Sequence, residues 1–561
     1  MKRWFLIVLV VLYGASVHDA VARNAAIASA HPLATEAGYQ VLQQGGNAFD
    51  AAVTVAATLA VVEPFASGLG GGGFWLLHRA SDRASDSQAV MLDARETAPL
   101  NARSDMYLDR NGEVVPSASR EGAKAAAIPG TPAALTWLSK RYGKLPLAKA
   151  LAPAIAYARD GFSTNARYAR IARLRQELLR GNESAASIFL DKGEPPVHGF
   201  RLRQPALART LTALARDGHA GFYGGPVADE LVRSINTAGG IWRKEDLATY
   251  RVIERAPARI TYRGLDITTA SLPSSGGATL AQSLNILEAL PFAQSDGAAR
   301  VHLVVEALRR AYHDRVRYLG DPDFIDAPIA HLSSEAYAAT RAASIDPRQA
   351  TPSTALAETE PIAVEGRDTS HFSIIDAAGN RVAATLSINN LFGSGIVAGS
   401  TGVLLNNEMD DFAAKPGAAN TYRLTGDEAN AIEPGKRPLS SMSPTFVEDA
   451  RGLLILGSSG GSRIMSQVLL AILDYARPGP VDVIGIVGAP RYHHQYLPDR
   501  IDIEPEAFPA EWIAALEAKG HSVHRIDRKW GNMQAVWLNQ KTGQSIAVGD
   551  PRTAAGWAGW F

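Results

Sequence analysis

Two rhythms of apolar and polar positions run along this chain, and one gives way to the other near position 369. Upstream the dominant spacing is helical. Residues 32–42 carry apolar positions at that spacing behind Pro32 and close on Gly45-Gly46, which predicts a helix opened by the proline and stopped by the glycines. Asn47 and Asp50 open a second apolar helix over 51–62, ended by Pro64. Residues 148–158, 207–215 and 301–318 repeat the pattern, and the last threads Arg309, Arg310, Asp314 and Arg315 between its apolar positions. Strand-like runs at 74–78 and 89–93 interrupt this, but the span from about 130 to 345 is predicted to be mostly helical. Residues 350–368 are polar and aperiodic, a loop or linker. From Thr369 on, short β-like runs at 371–376, 381–388, 403–406, 445–447, 453–456, 535–538 and 545–548 alternate with turns. Ala377-Ala378-Gly379-Asn380 is a hairpin signal, and 465–475 and 510–519 are predicted helices. A helix-rich part followed by a strand-rich part suggests stacked layers of helix and sheet.

Composition narrows the classes. The 561 residues exceed one ordinary core, and Lys+Arg and Asp+Glu balance at 56 each, without the basic excess of a nucleic-acid binder. The absence of cysteine excludes disulfides, thiolate zinc sites and a Cys nucleophile. Lys2 and Arg3 precede an apolar run over 4–13, followed by Ala20-Val21-Ala22. This layout predicts a signal peptide over 1–22 and export to the periplasm or beyond the cell. The run has about half the length that a bilayer span needs, and no later segment has 18 uninterrupted apolar residues, so a soluble mature protein is expected. No cofactor or metal is expected, because no ligand cluster or cofactor motif stands out.

Two glycine-containing motifs match known fingerprints. Gly68-x-Gly70-x-x-Gly73 fits the dinucleotide fingerprint, but a helix and Pro64 precede it and a strand follows, the reverse of the required context. Close backbone packing or a turn is the expected role. Gly457-Ser458-Ser459-Gly460-Gly461 fits the G-x-S-x-G nucleophile elbow, with a strand before and a helix after, and His493, His494, His521 and His524 follow it. That leaves a serine hydrolase using Ser459 as a competing reading.

Polar groups concentrate beside glycines and prolines in four stretches: D-T-S-H-F-S (368–373), N-N-E-M-D-D-F (406–412), K-R-P-L-S-S-M-S-P-T (436–445) and G-S-S-G-G-S-R (457–463). A threonine hydroxyl is a poor nucleophile unless a base adjoins it, and a Thr at a chain terminus brings its own base, the free α-amine. That amine titrates at about 7.7–8.0, so part of it is unprotonated near neutrality. Thr369 is internal, however, and an internal Thr before a strand is ordinarily just a β-former.

T-S-H-F-S resembles the T-T-H-Y-S-type motif that opens the small subunit of gamma-glutamyltransferases (glutathione hydrolases), members of the N-terminal nucleophile (Ntn) hydrolase superfamily. The other three stretches and D-P-R (550–552) follow in the order of that family. Upstream the resemblance takes in Q-G-G-N-A-x-D-A-A (44–52), S-G-L-G-G-G-G-F (67–74), R-E-T-A-P (95–99), I-P-G-T-P (128–132), L-P-S-S-G-G (272–277) and Y-L-G-D-P-D-F (318–324). It implies a layered α/β fold, the four-layer αββα sandwich. Self-cleavage between Asp368 and Thr369 would give two interlocked subunits, a helix-rich large one (23–368) and a strand-rich small one (369–561). The implied activity is transfer of the γ-glutamyl group of glutathione and related compounds, through a Thr369 ester, to water or to amino acids and peptides.

The resemblance also assigns roles. Thr369 is the nucleophile, Ser387 stands where a threonine usually orients it, and the N–H groups of Gly460 and Gly461 form the oxyanion hole. Arg95, with Ser440 and Ser441, takes the substrate carboxylate, while Glu408 and Asp411, with Asn389, take its ammonium. The segment 415–437 matches a lid loop, with Tyr422 at the gating position. Ser370, Phe372 and Ser459 depart from the usual Thr, Tyr and Pro, and His371 is expected to be structural. The implied partners are small γ-glutamyl substrates and the chain's own second fragment. The alternative is a relative with the same nucleophile and another acyl group: a cephalosporin or glutaryl acylase, or a polyglutamate-processing enzyme.

Overall fold

The computed structural model describes residues 25–81, 89–356, 369–415, 417–418, 420, 425–553 and 557–560. The predicted signal segment, Asp368 and Tyr422 lie outside the described residues. Two antiparallel sheets face each other. The seven-stranded sheet runs, in spatial order, Trp557–Trp560, Ala26–Ser29, Ser370–Ile375, Arg381–Ser387, Gly72–His78, Ala89–Ala94 and Ile253–Arg255. The six-stranded sheet runs Ser545–Gly549, Gln534–Asn539, Gly452–Gly457, Thr445–Asp449, Leu265–Thr269 and Ala258–Tyr262.

The period-2 pattern explains the layering, because successive side chains of a strand face opposite ways. Ala26, Ala28, Leu76, Ile375 and Ala383 meet Phe446, Leu453, Ile455, Val536 and Leu538 between the sheets. Their neighbours Ile27, Trp75, Leu77, Phe372, Ile374 and Val382 face outward into a helical core that includes Ala48–Val62, Leu147–Asp160 and Pro205–Asp217. Leu454, Leu456, Ala535 and Trp537 face the opposite helical layer, with Gly276–Glu288, Gly297–Tyr318 and Arg463–Tyr475. The result is helix, sheet, sheet, helix. Ala48–Val62 is buried along its whole length, as its nearly continuous apolar sequence requires. Asn47 and Asp50 form the capping box that starts it.

Three expectations change. The helical middle also contains Ile253–Arg255, Ala258–Tyr262 and Leu265–Thr269, which supply an edge to each sheet. The two pieces on either side of 369 therefore share both sheets. Residues 403–406 are not a strand: Leu404 and Leu405 form only isolated bridges to Val397 and Gly70. The strand Ala26–Ser29 was not foreseen; it pairs directly with the one that follows Thr369.

The glycine run does what close packing requires. A Cβ at Gly71 would lie 2.0 Å from the carbonyl oxygen of Ser387. No strand-turn-helix surrounds it, since Gly72–His78 is itself the strand that follows. Gly457 is equally constrained: a Cβ there would lie 2.3 Å from the His371 ring, which bridges Thr385 (2.9 Å) and Ser373 (3.2 Å) between the sheets. Gly457→Ala should therefore destabilise the protein by about 1–3 kcal/mol through overpacking, read as a lower melting temperature. An unchanged melting temperature would show that the ring is free to move aside.

Candidate active site

The paired strands Ser370–Ile375 and Arg381–Ser387 set Leu386 opposite Ser370, and one further step of that register brings Ser387 to Thr369. Both side chains are buried, and both line a small cavity of about 20 Å³. Asn389, Gly461, Arg95, Glu408, Asp411, Ser440 and Ser441 line the same cavity. Residues expected from six separate stretches of sequence thus meet at one place. Gly460 lines the neighbouring cavity instead. The described ends of the 415–437 segment turn back on themselves, with Gly417 N–H donating to Gly426 C=O at 2.9 Å.

Local backbone positions these groups. After Ser387 the chain turns sharply: Asn389 has φ +66, its N–H donates to Ser387 Oγ at 2.7 Å, and its side-chain amide donates to Asn407 C=O at 3.0 Å. A left-handed backbone at a non-glycine residue is a strain that surrounding bonds must hold. Gly460 and Gly461 take φ +124 and +57, which side-chain-bearing residues rarely adopt. Their carbonyls accept from Arg463 N–H (3.2 Å) and Ile464 N–H (3.1 Å), placing the pair at the N-terminal end of helix Arg463–Tyr475. Amide donors at a helix N-terminus suit a developing negative charge.

The electrostatics are concentrated on Arg95. Its guanidinium contacts Asp411 at 2.5 Å, Glu408 at 3.0 Å and Glu96 at 3.4 Å, while its Nε donates to Pro438 C=O at 3.1 Å. The cation and the acids that the sequence placed at opposite ends of a zwitterion are therefore in direct contact. Burial pushes Glu408 well above its ordinary value, with repulsion from Glu96 and Asp411 adding to it, and raises Asp411 with help from Asp410, in both cases against the pull of Arg95. Burial likewise raises Glu96 to about 7. For Arg95, burial opposes the charge but the three carboxylates prevail and hold it firmly protonated.

Sequence reasoning missed Arg315 and Glu96. Arg315 is buried, lines the cavity and donates to Ser275 Oγ (3.0 Å) and Ser441 Oγ (3.4 Å); burial lowers it to about 10. The signal was available, since Arg315 sits in an apolar helix beside Arg309, Arg310 and Asp314, all of them buried. Ser275 in turn donates to Ser440 C=O at 2.7 Å, so residues upstream of 369 hold the serine pair downstream of it.

The competing nucleophile is less well served. His493 bonds Ser466 and Gln495, His494 bonds Asp499, His521 bonds His302 and His524 bonds Asp502, so none of the four is engaged with Ser459. Burial pushes His371 down to about 3, a neutral ring locked between Thr385 and Ser373. His302, Glu306 and His521 come close enough to share a metal ion, but Glu306 is already paired with Arg309 and Arg310.

A family model described as gamma-glutamyltranspeptidase matches residues 34–560. The glutathione hydrolase proenzyme of Escherichia coli (strain K12) is 40% identical over 540 residues, covering 96% of this chain and 92% of that protein. The acylase ACY 1 proenzyme of Pseudomonas sp. (strain V22) is 37% identical over 521 residues, 91% of this chain and 89% of that protein. Among solved structures, a cephalosporin acylase from Bacillus halodurans superposes with a TM-score of 0.82 at 27% identity, covering 96% of each chain.

The raised carboxylates give a pH dependence with a definite sign. They are protonated below their raised values and ionised above, and an ammonium is attracted to the ionised form. Calorimetric titration with L-glutamate should show affinity increasing as pH rises through about 7, where Glu96 ionises. Glu96→Gln removes the group that titrates there, so the rise near pH 7 should be lost. An affinity independent of pH across that range would detach these carboxylates from ammonium binding.

Proposed function

Because the chain belongs to the gamma-glutamyltranspeptidase family, we propose that Thr369 is the nucleophile of a self-cleaving γ-glutamyltransferase and glutathione hydrolase. It is an Ntn-type enzyme made as a proenzyme. The observation that carries the assignment of the nucleophile is the placement of Thr369: it opens a central strand at a buried cavity whose other groups suit a free amino-acid end.

In the precursor, the Thr369 hydroxyl attacks the carbonyl carbon of Asp368, and the peptide nitrogen leaves as the Thr369 amine. Water then hydrolyses the ester, leaving pieces of residues 23–368 and 369–561. The sheets that both pieces share support a heterodimer that stays joined after the cut. In the mature enzyme the new α-amine takes the hydroxyl proton as Thr369 attacks the γ-amide carbonyl of the donor. The N–H groups of Gly460 and Gly461 receive the oxyanion, and the amine departs with a proton. The resulting γ-glutamyl ester passes to water, giving glutamate, or to the amine of an amino acid or peptide. Ser387 orients the nucleophile. Arg95, Ser440 and Ser441 hold the α-carboxylate; Glu408, Asp411 and Asn389 hold the α-ammonium, with Arg95 exchanging part of its contact with the acids for the substrate. Tyr422, outside the described residues, is assigned to the lid. The N-terminal segment directs export, and no helix among the described residues is long and apolar enough to cross a membrane.

The acylase relative keeps a second reading open, in which the same nucleophile accepts a glutaryl-type acyl group. The cluster of Glu408 and Asp411 favours an α-ammonium, which glutaryl lacks. Turnover of γ-glutamyl-p-nitroanilide against a glutaryl amide separates the two, and preference for glutaryl would replace the first reading.

Thr369→Ala should leave one uncleaved chain without activity on a denaturing gel and in a glutamate-release assay, while two bands would remove Thr369 from processing. Arg95→Ala should raise KM for γ-glutamyl donors about tenfold or more, since a charge-assisted hydrogen bond is worth about 1.5–3 kcal/mol. An unchanged KM would take Arg95 out of the substrate site.

A further inference from the structure

The loop that carries Gly460 and Gly461 has a cavity on each side. The small one holds Thr369 and the acid-rich cluster; the other is larger, about 330 Å³. The same two segments form the partition. Ser387, Asn389 and Gly461 face the first cavity, while Leu391, Ser459 and Gly460 face the second. A hydrogen-bonded path also joins them: Ser370, next to the nucleophile, bonds Glu63 at 3.3 Å, and Glu63 pairs with Arg167, which lines the second cavity.

The second cavity has a distinct chemistry. Arg167, Arg170, Arg463, Arg528, Lys529 and Arg552 line it, and no Asp or Glu does among the described residues. Three of these cations are balanced from behind: Arg167 by Glu63, Arg463 by Asp502 at 3.0 Å and Arg552 by Glu504 at 2.6 Å. Arg170, Arg528 and Lys529 form no ion pair among the described residues. The Arg528 Nε and the Trp530 indole N–H are buried without a hydrogen-bond acceptor there. Trp530 is itself buried and lies under the Arg463 guanidinium at 5.2 Å. In a chain whose net charge is zero, this is a local excess of positive charge with unused donors.

In the γ-glutamyltransferase reading the acyl part of a donor fills the acid-rich cavity, and the basic cavity adjoins it across the 459–461 loop. We propose that the basic cavity is the subsite for the free carboxylate of the amine component, whether a peptide leaves from the acyl-enzyme or attacks it, with Arg528 and Lys529 as its specificity-determining cations. This rests on the γ-glutamyltransferase reading above. It predicts preference for donors and acceptors that are peptides or amino acids with a free C-terminus. An exposed cation pair contributes little at each contact, and a cluster sharing one carboxylate adds up while remaining sensitive to salt.

The test compares three donors on the mature enzyme: glutathione, its glycine ethyl ester and γ-glutamyl-p-nitroanilide. The wild type should prefer glutathione over the ester, and the preference should fade at high ionic strength. In the double variant Arg528→Ala/Lys529→Ala, KM for glutathione should rise about three- to tenfold. Its constants for the ester and the anilide should stay as they were, which also reports an intact fold. Equal effects on glutathione and its ester, or no effect on either, would overturn the subsite while leaving the γ-glutamyl reading in place. Failure of the wild type to turn over any of the three donors would overturn that reading and the subsite with it.

Discussion

The strand that begins at Ser370 is hydrogen-bonded on both flanks, to Ala26–Ser29 and to Arg381–Ser387. That double pairing fixes the position of Thr369 through bonds that do not involve the peptide link before it, so Thr369 has the same support whether or not that link is intact. The same ladder brings Ser387 alongside, and Ser387 receives the N–H of the strained turn at Asn389. The rest of the cavity is assembled against this fixed edge. The facing sheet contributes Gly457, whose missing side chain makes room for His371, and leads directly into the Gly460-Gly461 loop.

Charge is organised around Thr369 in opposite senses. On one side Arg95 is surrounded by Glu96 and Glu408, both withdrawn from water, and by Asp411, which is only partly covered. Burying like charges together is costly, and the cost shows as carboxyl groups that hold their protons more tightly than usual. A ligand that brings one ammonium and one carboxylate satisfies such a cluster without changing its net charge. On the other side of the 459–461 loop the excess is positive. A donor whose acyl end is zwitterionic and whose amine end carries a carboxylate matches both halves.

The two pieces on either side of Thr369 are not separate domains. Each sheet takes strands from both, and Arg315 and Ser275 of the first piece hold Ser440 and Ser441 of the second. Breaking one bond in the chain leaves the hydrophobic layers and both sheets intact, since these contacts do not depend on continuity at that point.

Local pattern alone determined the helices at 32–43 and 48–62, the strands at 370–375, 381–387, 445–449, 452–457, 534–539 and 545–549, and, through the resemblance, most of the residues that line the cavity. These were legible because periodicity, capping and motif are short-range properties. The strands at 253–269 fall within the span that local pattern assigns to helices because Arg, Glu, Asp and Thr alternate with few apolar residues; Ile253–Arg255 and Ala258–Tyr262 are sheet edges and Leu265–Thr269 lies next to one. The run at 403–406 has strand composition, yet its backbone pairs only at isolated points. Tertiary structure alone decided that Arg95 and its acids touch, that Arg315 reaches Ser441, and that Gly460 faces a basic chamber. Those depend on which distant segments burial brings together, and side-chain spacing along the chain carries no record of distances across it.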